Sequence, residues 1–138
     1  MNSLEEAKAA VVGDFSLMDE WLDKYEYLID LGKELEPFPD ELKTDDRLIK
    51  GCQSRVWLDC RHQEDGRLFF KADSDAIITK GIISLLIKVY SGRTAAEIAT
   101  DDFSFVDAIG LRQNLSPTRA GGLASMIETI KKEAERYV

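Results

Sequence analysis

The sequence predicts an α+β fold in which a small antiparallel β-sheet of about three strands packs against helices. Three observations point there. Apolar residues recur at helical spacing through the first third of the chain. The period drops to two between Ser54 and Ala72, on either side of a turn, and helical spacing returns from Ala76 onward. Helices, then strands, then helices again build layers, not alternating parallel βαβ units. At 138 residues the chain reads as one domain, 1–138, large enough to bury a core without disulfides or metal.

The elements follow in order. Ser3 and Glu6 have the spacing of a capping box, and Ser16 with Asp19 reads as the start of a second helix. In that helix Met18, Trp21, Leu22, Tyr25, Leu28 and Ile29 share one face, which is expected to be buried. Pro37 and Pro39 cannot continue it. In "SRVWLDCRH", Val56, Leu58 and Cys60 fall on one face of a strand, with Trp57 and Asp59 on the other. Glu64, Asp65 and Gly66 make a turn into "RLFFKA", so the pair is a hairpin, with Arg47 to Lys50 the candidate third strand.

Asp73 or Ser74 is then expected to cap a helix, with Asp75 near its positive end. From Ala76 to Tyr90 that helix is apolar nearly all round. Lys80, Ser84 and Lys88 form its single wet stripe, so it should be the central helix, packed across the sheet. Thr94 and Glu97 make another capping box, and "DDFSFVDAIG" reads as a short helix ended by Gly110. Ser116 caps the last helix, Pro117 takes its first position, and Leu123, Ile127, Ile130, Ala134 and Tyr137 form its inner face.

Composition narrows the function. A formal net charge of -8 argues against nucleic acid or an anionic membrane as the main partner, since both call for a basic footprint. No apolar run approaches the roughly 20 residues that span a bilayer, and the start "MNSLEEAKAAVV" lacks a secretory leader. The expected compartment is the reducing cytoplasm, where a Cys52–Cys60 disulfide is disfavoured.

Motif chemistry is sparse. Two cysteines and the single histidine, His62, give at most three soft ligands, so no metal site is expected, and His62 reads as a polar residue at a hairpin end. The chain has no G-x-S-x-G elbow, no Walker motif and no G-x-G-x-x-G. "DSDA" lacks the glycine and the terminal acid of a calcium loop.

That leaves Cys52. It follows Gly51, which frees the backbone to turn. Gln53 and Ser54 add polar groups, and Lys50 and Arg55 are cations placed to favour thiolate. Acyl transfer would need a base, for which only His62 is on offer. Sulfur transfer needs a thiolate alone, because the sulfur attacked in a persulfide is already activated. The residues by themselves leave Cys52 as either a packed small residue or a redox or sulfur-handling thiol; Cys60 reads as a core residue.

Three stretches, "GCQSRVW" (51–57), "ADSDAIITKGI" (72–82) and "LSPTRAGGLASMI" (115–127), together resemble the signature blocks of the SufE/CsdE family of sulfur-acceptor proteins of iron–sulfur cluster assembly. Their order and spacing match from about Phe15 to Ala134. The resemblance implies the SufE/NifU (IscU-like) fold and a partnership with a pyridoxal-phosphate-dependent cysteine desulfurase. That cofactor would belong to the partner, and none to this chain.

The resemblance further implies that Cys52 accepts persulfide sulfur, that the protein stimulates the desulfurase, and that the sulfur passes to an iron–sulfur scaffold complex or another acceptor. Gly51, Gln53 and Ser54 would shape the cysteine loop, Asp75 would influence its opening, and Arg119 would support the thiolate. Gly121 and Gly122 would let another segment come close. The competing readings are an IscU-like metal or cluster scaffold and a desulfurase adaptor that uses no thiol. A homodimer is left open.

Overall fold

The computed structural model describes residues 3–138. Two helices come first, α1 (Leu4–Ser16) and α2 (Trp21–Lys33), followed by short 3-10 turns at Asp40–Leu42 and Asp45–Arg47. Strands β1 (Val56–His62) and β2 (Arg67–Ser74) form an antiparallel hairpin, and α3 (Ile77–Tyr90) follows. After β3 (Arg93–Thr94) come α4 (Ala95–Thr100), α5 (Phe105–Ala108), α6 (Leu111–Asn114) and α7 (Pro117–Glu135). The sheet order is β1-β2-β3, all antiparallel, so the α+β class with a three-stranded sheet holds.

The third strand lies elsewhere than the sequence suggested. Arg93–Thr94 pairs with Arg67 and Leu68 on the far edge of β2. The Arg47–Lys50 stretch contributes only one bridge, Leu48 to Trp57.

Local signals fix the starts of α1, α4 and α7. Ser3 accepts from the Glu6 amide while Glu6 reaches back to the Ser3 amide, and Thr94 with Glu97 does the same for α4. Ser116 accepts from the Arg119 amide, with Pro117 at the first position of α7. Gly110 closes α5 with a φ of 70°.

Two expected caps are corrected. Ser16 does not start α2; it ends α1, its hydroxyl donating to the Gly13 carbonyl at 2.7 Å, and α2 begins at Trp21 without a side-chain cap. Asp73 and Ser74 do not cap α3; they remain in β2, paired with Trp57 and Val56, and α3 starts uncapped after Ala76. Asp73 instead takes Lys43 and Lys80, each at 3.1 Å, which holds its carboxyl below the usual range against the opposing effect of burial.

The core lies between the sheet and the helices. Val56 and Leu58 of β1 and Leu68, Phe70 and Ala72 of β2 turn one sheet face onto α3, and α7 packs on α3 in turn. The polar stripe of α3 is not all wet: Ser84 is 6% exposed and donates to the Leu31 carbonyl at 2.8 Å, because α2 lies over it. That crossing is close. A Cβ on Gly81 would run into the Leu28 carbonyl, and Gly32 faces the Gly81 backbone. The burying face of α2 is therefore Leu28, Leu31 and Gly32, while Leu22 is 66% exposed. On α7 the inner face is as expected except Tyr137, which lies beyond the helix and is 42% exposed.

Candidate functional site

Cys52 sits on a loop fastened at both ends. On one side the Ile49 amide donates to the Val56 carbonyl at 2.8 Å, with the Ile49 side chain buried. On the other, the Arg55 amide donates to Asp75 Oδ1 at 3.0 Å. The Arg55 carbonyl accepts from the Asp75 amide at 3.3 Å and from Ser74 Oγ at 2.8 Å. Residues 50–54 lie between these fastenings.

Gly51 has a φ of 92°, in the left-handed region that favours glycine, and a Cβ there would strike Ser125 Oγ on α7. Its role in this state is thus to let a sharp turn press against α7. The Cys52 thiol is half-buried and lies 3.6 Å from the Gly122 carbonyl, to which it donates. A Cβ on Gly122 would rest 3.5 Å from the Cys52 Sγ, whereas one on Gly121 would meet nothing, so of the glycine pair Gly122 is the one that faces the thiol.

The thiol opens on a cleft of about 430 Å³. The loop contributes Cys52, Gln53 and Ser54. The start of α3 contributes Ala76, Thr79 and Ile82, and α7 contributes Arg119, Gly122 and Met126. Six of the residues singled out from the sequence therefore belong to one site: Gln53, Ser54, Arg119 and Gly122 line it with Cys52, and Gly51 shapes the turn beneath. Asp75 does not line the cleft; it holds the loop's end. The sequence reading missed Thr79, Ile82, Met126 and Ser125. Only the i, i+3 spacing of Ala76 and Thr79 hinted that Thr79 shares a helix face with the loop contact.

The expected activation of Cys52 by Lys50 and Arg55 is not seen. Both side chains are exposed, and burial alone pushes the Cys52 thiol up from its ordinary value. In this conformation burial favours the protonated thiol, in a cleft that Ile82 and Met126 also line. Exposing it to solvent would bring the thiol back toward its ordinary value and raise the thiolate fraction. Cys60 packs half-buried against the core, its thiol pushed up to about 12, first by burial and then by Glu133 and Asp59. His62 is exposed and stacks on Tyr137 at 4.3 Å. Among the described residues no three His, Cys, Asp or Glu side chains converge to hold a metal ion, and no helix is long and apolar enough to cross a membrane.

Comparison with known proteins adds to this geometry. The family model described as SufE, Fe-S metabolism associated domain, matches residues 9–134. A SufE-like protein of Rhizobium meliloti is 40% identical over 139 residues, covering 98% of this chain and 96% of that one. The sulfur acceptor protein CsdE of Escherichia coli is 41% identical over 117 residues, covering 84% of this chain and 80% of its own. Among solved structures, a hypothetical protein of Thermus thermophilus superposes with a TM-score of 0.77 at 16% identity over 95% of both chains, a likeness of fold alone.

Proposed function

This chain belongs to the SufE family of Fe-S metabolism associated domains, and from that premise we propose that it is a cytoplasmic sulfur acceptor whose working group is Cys52. The Cys52 thiolate attacks the outer sulfur of a persulfide on a pyridoxal-phosphate-dependent cysteine desulfurase. The new bond joins Cys52 to that sulfur, and the desulfurase cysteine leaves as thiolate. Clearing that cysteine stimulates the desulfurase, and the sulfur then goes to an iron–sulfur scaffold complex or another acceptor. The pyridoxal phosphate stays with the partner, and this chain uses no cofactor of its own.

The observation that carries the reading is the placement of Cys52 over the cleft, half-buried on a loop fastened at both ends. A sulfane sulfur is readily lost to reductants, so a carrier gains from covering it when alone. The same burial disfavours the thiolate, so drawing the loop outward on docking favours attack. In this mechanism Gln53 and Ser54 shape the loop, Asp75 sets how easily it leaves, and Arg119 supports the thiolate.

The test is to incubate the protein with a desulfurase and cysteine and weigh it by intact-mass spectrometry. One added sulfur on Cys52, removable by a thiol reductant, is expected. Cys52→Ser should bind the desulfurase yet fail to stimulate it. Stimulation that survives this substitution would mean an adaptor that needs no thiol, and stoichiometric iron or zinc in protein purified without chelator would mean a scaffold.

A further inference from the structure

The Cys52 cleft contains polar groups that nothing in the fold uses. Thr79 is 8% exposed, yet its hydroxyl makes no hydrogen bond among the described residues. No polar side-chain atom there is both sealed from solvent and unpartnered. The Thr79 hydroxyl therefore reaches open space, and the space Thr79 lines is this cleft. A hydroxyl that the fold leaves single at the wall of a cleft is open to water or to a ligand that displaces it.

The neighbours share one electrostatic sign. Arg119 lines the same cleft, and its guanidinium has no carboxylate partner among the described residues. No side chain caps the start of α3, a helix of 14 residues, so its first-turn amides are free of a side-chain acceptor. The start of α7, 19 residues long, borders the cleft through Thr118 and Arg119. No Asp or Glu lines it, in a chain with 26 acidic and 18 basic residues. An arginine fork, a free hydroxyl and the uncapped N-terminus of α3 suit a planar carboxylate, while Ser116 already takes the Arg119 amide of α7. A volume of about 430 Å³ suits a molecule of amino-acid to short-peptide size.

We propose that the Cys52 cleft binds the carboxylate of a small free thiol, held by Arg119 and Thr79, and that this thiol removes the carried sulfur. This rests on the sulfur-acceptor reading above and adds the class of one acceptor. The thiolate of the small molecule attacks the outer sulfur of the Cys52 persulfide. A bond forms between the two, the bond to Cys52 breaks, and Cys52 departs as thiolate and takes up a proton. No external oxidant or reductant is needed. The carboxylate fixes the nucleophile beside the sulfur, which raises its effective concentration.

Two measurements test this in a Cys60→Ala background, so that one thiol reports. The first needs no sulfur loading: alkylation of Cys52 by iodoacetate is compared with iodoacetamide, each relative to free cysteine. A carboxylate site predicts an iodoacetate-to-iodoacetamide ratio raised about tenfold, against the net negative charge of the chain. The ratio should fall back in Arg119→Gln, fall partly in Thr79→Val, and persist in Thr79→Ser. A ratio equal to that of free cysteine overturns the proposal.

The second loads Cys52 with inorganic polysulfide and follows sulfur release to L-cysteine and to cysteamine, whose thiols differ chiefly by the neighbouring carboxylate. Saturable release about tenfold faster to cysteine is expected, converging on the cysteamine rate in Arg119→Gln. Equal rates overturn the proposal even if the alkylation ratio is raised. Failure of the sulfur-acceptor reading looks different: a desulfurase then adds no sulfur to Cys52, while the alkylation ratio is unaffected.

Discussion

Asp75 accepts the Arg55 amide through Oδ1 at 3.0 Å, and this bond ties the cysteine loop to the junction of β2 and α3. Arg55 returns the contact, its carbonyl accepting from the Asp75 amide at 3.3 Å. Asp75→Ala removes the side-chain half of the pair. Cys52 should then alkylate several-fold faster, and the Arg55 amide should exchange with deuterium sooner. Asp75→Asn, which retains an acceptor oxygen, should restore most of the protection. Equal Cys52 reactivity in Asp75→Ala and the parent would show that the bond does not restrain the loop.

Gly51 faces two constraints at once, a φ of 92° and the side chain of Ser125. Gly51→Ala should lower unfolding free energy by about 2 kcal/mol. Adding Ser125→Ala should recover the steric share but not the backbone share, so the double variant should fall between the single variant and the parent in urea denaturation.

The α2–α3 crossing sets a sharper contrast. Gly81→Ala drives a methyl group into the Leu28 carbonyl and should destabilise by about 3 kcal/mol or more. Gly13, inside α1 with nothing near its missing Cβ, should respond oppositely. Gly13→Ala should stabilise by roughly 0.5–1 kcal/mol through helix propensity.

Cys60 makes stability depend on alkaline pH. Its thiol moves from 9.0 to about 12 on folding. Above 9.0 the unfolded chain releases this proton while the folded chain keeps it, so stability falls as pH rises through that window. Cys60→Ala should flatten the slope of unfolding free energy against pH between 9.0 and about 12. An unchanged slope would assign the alkaline loss to other groups.

What the sequence revealed follows how local each signal is. Ser3 with Glu6, and Ser116 with Pro117, announced their helices because a cap is satisfied within one turn. The two-residue strand Arg93–Thr94 is too short to show a period, and its pairing with Arg67 and Leu68 is non-local. Ser84 looked wet because its neighbour Leu31 lies 53 residues away along the chain. Asp73 and Ser74 looked like caps, but pairing with β1 carries the strand past them. At the site, Cys52 and Arg119 were marked by their motifs. Thr79 was not, since a threonine in an apolar helix resembles any other until the packing leaves its hydroxyl single.

The two fastenings of the cysteine loop amount to a tether of fixed length. Cys52 is three residues from Ile49 and three from Arg55, and extended chain covers at most about 3.5 Å per residue. With both anchors intact, the sulfur can travel only about 10 Å from either one. A donor whose reactive sulfur is recessed further than that must either release the Asp75–Arg55 bond or bring its own mobile segment to the rim. The range of sulfur hand-off is thus limited by backbone geometry before any side-chain recognition begins.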